Sequence, residues 1–144
     1  MKESRGFTLL ELIIVLGIIS TMLLIGATVY SQSQKRSRDA KRKGDLNNIR
    51  SALELYRSNN SFYPLNLTDL TTGTVYLKSI PLDSFDPRQS YKYIPKSGCN
   101  NTTVLCNDYT LGTILENAPN PVCSVTITCP TIACNFCLNP YGEK

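Results

Sequence analysis

Phe7 to Tyr30 is a run of 24 residues that holds a single charge, Glu11. As a helix the run measures about 36 Å, enough to cross a hydrocarbon core of about 30 Å. A segment this apolar is confined to a membrane or a shared protein core, or it is removed from the mature chain. A carboxylate close to its start is costly, and an ionisable residue in such a place is usually functional. A short leader, Met1 to Gly6, precedes the run and carries Lys2, Glu3 and Arg5.

Three readings of the run compete. A plain transmembrane anchor explains its length but not Glu11. A secretory signal peptide cut near Ala27 puts charge early in its apolar region, and Gly26-Ala27-Thr28 is a poor small-x-small site. The third reading is carried by Arg5-Gly6 followed by Phe7-Thr8-Leu9-Leu10-Glu11-Leu12-Ile13-Ile14-Val15-Leu16. This stretch resembles the N-terminus of type IV prepilins and type II secretion pseudopilins. The resemblance implies cleavage by a prepilin peptidase between Gly6 and Phe7, on the cytoplasmic side, and N-methylation of Phe7. It also implies that Glu11 sets subunit register in a filament by pairing with the Phe7 amine of a neighbouring copy. A carboxylate desolvated in an apolar core needs such a partner. The bland alternative is a Glu11 that snorkels to the headgroups.

Two features depart from that family. Many members carry a proline well along the apolar helix; here Thr28 stands there, and the first proline of the chain is Pro64. Gly26 and Thr28 are left to loosen the helix, glycine costing about 1 kcal/mol relative to alanine. The second concerns topology. Lys35, Arg36, Arg38, Lys41, Arg42 and Lys43 follow the run, which by the positive-inside rule alone puts the far side in the cytoplasm. Cleavage at Gly6 requires a cytoplasmic leader, and the cysteines favour an oxidising compartment, so the opposite orientation is expected: a single pass with the N-terminus inside, then a periplasmic or extracellular filament.

From Lys35 to Ser58 no proline occurs, and Leu46, Ile49, Leu53 and Tyr56 recur at spacings of three and four. That is one apolar stripe on a helix. Asn59-Asn60-Ser61 and then Pro64 end the pattern. The expectation is one continuous helix from about Phe7 to Ser58, about 80 Å long. Residues 35–58 hold eight basic and three acidic side chains, so the net charge of +4 is localised here. The basic cluster reads first as a solvated helix face, then as a contact for lipid phosphates or acidic neighbours, and last as a DNA-binding strip, since no aromatic is interleaved.

In the head, Leu65 to Leu70 reads as a short helical turn capped by Asn66 or Thr68 and broken by Gly73. Val75-Tyr76-Leu77 reads as a brief extended piece. Ser90 to Ile94 and Asp108 to Leu115 read as strands, with Val122 to Thr128 as a third candidate. Phe62-Tyr63-Pro64, the Pro-x-Asp loop from Ile80 to Pro87 and Tyr91-Lys92-Tyr93 resemble the major pseudopilin of type II secretion and its pilin relatives. Some of those bind calcium in the head, which makes Asp83 and Asp86 weak calcium candidates. The ordinary reading of both is turn-forming and capping.

Six cysteines fall at 99, 106, 123, 129, 134 and 137. An even, dense set in a small domain beyond a membrane segment suggests disulfides. Cys99 and Cys106 flank a polar loop and form a natural local pair. Cys123, Cys129, Cys134 and Cys137 leave three pairings open. A tetrahedral zinc site from these four competes, with CxxC spacing at Cys134 and Cys137. A redox motif lacks the βαβ context it needs. Residues 117 to 144 show no clear periodicity, and crosslinks worth about 2–4 kcal/mol each are expected to hold this tail. Asn-x-Ser/Thr tripeptides at Asn59, Asn66, Asn100 and Asn101 carry no weight.

The expected fold class is α+β. A long N-terminal helix, half apolar and half amphipathic, packs against a small antiparallel β head with a disulfide-rich C-terminal tail. The expected divisions are a leader at 1–6, a membrane or filament-core helix at 7–34, a stalk helix at 35–58 and a head at 59–144. The chain has no histidine, hence no commonest general base, and shows no nucleophile motif, so an enzyme is not expected. The expected function is a pilus or pseudopilus subunit polymerised through its N-terminal helix. By family analogy its partners are further copies of itself, prepilin peptidase, a platform protein and an assembly ATPase, with the inner membrane before assembly. No cofactor is expected beyond the calcium candidate. The competing class is a membrane-tethered module that binds DNA or a surface ligand without polymerising.

Overall fold

The computed structural model describes residues 6–118, 123, 127–130 and 132–143, and the side chains of these except Ala27 and Thr28. The chain divides into two compact units, Met1–Arg36 and Ser37–Lys144. Helix α1, Leu9–Asn60, has 52 residues, and the boundary between the units falls within it. It starts where Thr8 caps it, the Glu11 N–H donating to Thr8 Oγ1 at 3.3 Å. It ends two residues later than the periodicity implied, where Ser61 takes a left-handed φ of 67° and its N–H bonds back to Arg57 O.

In the second unit, α1 lays its stripe against a four-stranded antiparallel sheet. The strands are β1 (Lys92–Pro95), β2 (Tyr109–Thr113), β5 (Phe136–Asn139) and β6 (Gly142–Glu143), in the order β1-β2-β5-β6. Leu46, Ile49 and Leu53 are fully buried against Tyr63, Leu70, Tyr109, Leu111, Phe136 and Leu138. The expected pairing of the strands at 90–94 and 108–115 is present, with Lys92 opposite Gly112 and Pro95 opposite Tyr109. This is the expected α+β class.

The short helical turn expected at 65–70 is present as a 3₁₀ helix, Leu67–Leu70, with Asn66, one of the two expected caps, at its N-cap. Two other local expectations differ. Val75-Tyr76-Leu77 joins no strand, because the N–H groups of Tyr76 and Leu77 both donate to Leu70 O. Of the third candidate strand at 122–128, residues 122 and 124–126 lie outside the described residues. Thr128–Cys129 forms β3, which pairs with β4 (Ile132–Ala133) in a separate two-stranded ribbon.

The third strand of the main sheet is instead β5, from the tail that showed no periodicity. All four of its residues are buried. Phe136 and Leu138 face the helix, while Cys137 packs on the other side with Ile127, Cys129 and Cys134. A strand covered on both faces shows no polar alternation. The cover on the far side is made by crosslinks: Cys123–Cys137 and Cys129–Cys134, with Cys99–Cys106 closing the loop between β1 and β2.

Candidate processing and assembly site

In the first unit, Gly6 and Phe7 are exposed, Phe7 at 85%. Leu9 to Ile25 has no buried side chain. Its large apolar residues expose between 46% and 76% of their surface. Its two hydroxyls return to the helix backbone, Ser20 to Leu16 O at 2.7 Å and Thr21 to Ile18 O at 2.8 Å. What remains is apolar surface all round, broken only by Glu11. A helix of that kind belongs inside a membrane or inside a protein assembly. Among the described residues, α1 is the one helix long and apolar enough to cross a membrane.

Glu11 lies in the first turn, three residues after the Thr8 cap. A carboxylate at that position is favoured by the positive end of the helix dipole. Gly6, Phe7 and Glu11 thus gather at one helix end, ahead of the apolar surface.

The basic cluster is not a uniform solvated strip. Arg42 is 1% exposed. Its Nε donates to Asp83 Oδ2 at 2.6 Å, and its Nη1 to Asp39 Oδ1 at 3.0 Å and Glu116 Oε1 at 3.2 Å. Its Nη2 donates to Gln89 Oε1 at 2.9 Å and, more weakly, to Asp83 Oδ1 at 3.4 Å. Arg38 forks onto both oxygens of Glu116, each at 2.7 Å. Asp39 also accepts the backbone N–H groups of Glu116 and Asn117, at 2.8 and 2.9 Å. Lys43 lies 4.8 Å from the centroid of the Phe136 ring. Half of the six-residue cluster therefore makes contacts within the head, although Lys43, like Lys35, Arg36 and Lys41, is exposed.

Burial works to lower the Arg42 pKa, but the hydrogen bond and charge of Asp83, with Glu116 behind them, raise it on balance. The hydrogen bond from Arg38 holds the Glu116 carboxyl below its ordinary value, against a smaller opposing effect of burial. Sequence reasoning missed Asp39, Arg42, Gln89 and Glu116 as a group. The signal was present: positions 39, 42, 46, 49, 53 and 56 run at spacings of three and four, so Asp39 and Arg42 extend the buried stripe.

The calcium candidates meet the same network. Both oxygens of Asp83 face Arg42, and Oδ1 also accepts the Phe85 N–H at 2.8 Å. A divalent ion at this carboxylate would sit against a guanidinium. Asp86 is exposed. The cavity of 70 Å³ that both aspartates border is otherwise walled by Ile80, Pro81, Leu82, Ser90 and Tyr91, and the Tyr91 hydroxyl donates to Asp45 at 2.6 Å. Calcium takes six to eight oxygens. This donor set does not fit it, and among the described residues no group of three or more His, Cys, Asp or Glu is arranged around a metal. The zinc reading fails because Cys123, Cys129, Cys134 and Cys137 are spent in two disulfides.

A family model of the prokaryotic N-terminal methylation motif matches residues 1–27. The chain carries a type IV pilin-like prepilin leader. The match spans Gly6, Phe7 and Glu11 and runs along the apolar helix. Leader and helix together fit membrane anchoring. No curated protein and no solved structure matches the chain. The prepilin motif therefore speaks for the first 27 residues, and the head is described by its own geometry.

Proposed function

We propose that this chain is the precursor of a structural filament subunit, a type IV pilin or pseudopilin polymerised through α1. The carrying observation is the prepilin leader followed at once by an apolar helix with no buried residue from 9 to 25. In this reading a prepilin peptidase cuts between Gly6 and Phe7, and the freed Phe7 amine is methylated. Methylation keeps the positive charge, so amine and Glu11 remain a cation and an anion at one helix end.

The membrane holds the helix until a platform protein and an assembly ATPase move the subunit into the filament. Apolar transfer from lipid to protein gains little, so close packing and the paired charges decide the assembled state. Glu11 of one copy then meets the Phe7 amine of another and fixes their axial register.

The competing tethered DNA-binding module draws on the basic cluster, and it loses weight with Arg38 and Arg42 engaged by Glu116, Asp39 and Asp83. The test is a mass spectrum of the N-terminal peptide from native membranes and sheared surface material. A peptide that starts at methylated Phe7 supports processing as a prepilin. A mature protein that keeps Met1 is an ordinary anchored domain, and one that starts near Thr28 is a secreted one.

A further inference from the structure

Oxygens from three separate stretches converge on the Arg42 guanidinium: Asp39 from α1, Asp83 and Gln89 from the loop before β1, and Glu116 from the segment after β2. Three of these four residues are carboxylates. Without Arg42, the buried Asp83 and the nearly buried Asp39 would lose the cation they share, an unfavourable arrangement. An all-oxygen set drawn from elements distant in sequence is also how proteins hold a hard divalent ion. Here the centre of the set is a planar fork tethered to the helix, which can hold two partners at once and cannot lose its proton.

Phe85 closes the arrangement. Its ring lies 5.5 Å from the guanidinium carbon of Arg42 and 5.3 Å from that of Arg38. The loop therefore covers the charges with an aromatic face while Asp83 and Gln89 bind them from within.

We propose that Arg42 is the built-in cation of the head: its guanidinium supplies the positive charge this oxygen cluster needs, and it clamps the 83–89 loop and Glu116 onto α1 without a metal ion. The head then folds and stays folded independently of divalent cations, and calcium has no role at Asp83. The two roles exclude each other: one carboxylate pocket does not hold a guanidinium and a calcium ion together.

Thermal unfolding of the oxidised full-length chain in detergent tests this, followed by its near-ultraviolet tyrosine signal. The expected melting temperature of the wild type is the same in chelator and in millimolar calcium, within about 1 °C. An extracellular-type calcium site in millimolar calcium would instead raise it by about 2–10 °C. Arg42→Met, which leaves Asp39 and Asp83 without their shared cation while Arg38 still holds Glu116, is expected to melt at least about 10 °C lower, in chelator and in calcium alike. A calcium response in the wild type overturns the proposal, and so does an Arg42→Met chain as stable as the wild type in chelator. If Arg42→Met does not fold, the two wild-type measurements still decide the matter.

Discussion

A Cβ built on Gly112 would lie 2.8 Å from the Sγ of Cys134. Gly112 is in β2, opposite Lys92 on one side and Cys137 on the other. The Cys129–Cys134 bridge therefore lies flat on the middle of the sheet, and only a residue without a side chain leaves room for it. The sulfur is held by its own crosslink and cannot swing aside. Gly112→Ala is expected to destabilise the oxidised head by about 1–3 kcal/mol, read as a lower urea midpoint at unchanged slope. The same substitution after reduction should cost less, because the freed Cys134 side chain can then rotate. An equal loss in both states would place the strain elsewhere.

Two neighbouring tyrosines should respond in opposite ways to losing a hydroxyl. Tyr63 and Tyr109 meet edge to face, with ring centroids 4.7 Å apart. The Tyr63 hydroxyl accepts from Arg57 and donates to Glu54, both at 3.0 Å. The Tyr109 hydroxyl is buried and has no partner among the described residues. An unpaired buried hydroxyl costs free energy, whereas a paired one contributes about 1 kcal/mol. Tyr63→Phe should lower stability by about 1 kcal/mol, and Tyr109→Phe should leave it unchanged or raise it. Chemical denaturation of the two variants side by side makes the comparison. A destabilised Tyr109→Phe would mean that the hydroxyl has a partner.

The parts of this fold that showed in the sequence are those where one periodicity was undisturbed. Leu46, Ile49 and Leu53 marked the buried face because nothing but packing acts on them. β1 showed because exposed residues alternate with half-buried ones from Lys92 to Pro95. β5 did not, because Cys137 is apolar and the disulfide ribbon covers the face that would otherwise be polar. Arg42 was hidden by chemistry: a charge on a core stripe looks like its basic neighbours until its carboxylate partners, up to 74 residues away, are in place. Gly112 did carry a signal, since a glycine inside a strand often marks a close approach. At the N-terminus the motif itself was legible, because leader recognition is a local property of the chain.

Acid should loosen the head through Glu116. Its carboxyl is held below the ordinary 4.5, first by the Arg38 hydrogen bond. A group whose folded pKa is depressed contributes stability above its unfolded pKa and loses it as pH falls through the folded value. The contribution of Glu116 is therefore complete above about pH 4.5 and fades below it. Glu116→Gln should lower the melting temperature at neutral pH, and the gap to the wild type should narrow as the pH falls below about 4.5 and through the depressed folded value. A gap that stayed constant would mean that shape and hydrogen bonding, not charge, make the contribution.

Glu11→Ala separates the role of the carboxylate from the role of the helix start. The cap is made by Thr8 Oγ1, which accepts the backbone N–H of residue 11, so alanine leaves that bond in place. Membrane insertion should also be kept, since the substitution makes the apolar run longer. What it removes is the anion that a neighbouring Phe7 amine would meet inside a filament core. Truncating one partner of a desolvated charge pair leaves the other unpaired and costs about 2–5 kcal/mol. The yield of sheared filaments should therefore fall at least about tenfold at equal membrane levels of the subunit. Glu11→Asp keeps the charge with a shorter reach and should fall between the two. Normal filaments from Glu11→Ala would remove the register role. A chain that inserts, is processed at Gly6 and yields no filament even as wild type would favour the tethered module.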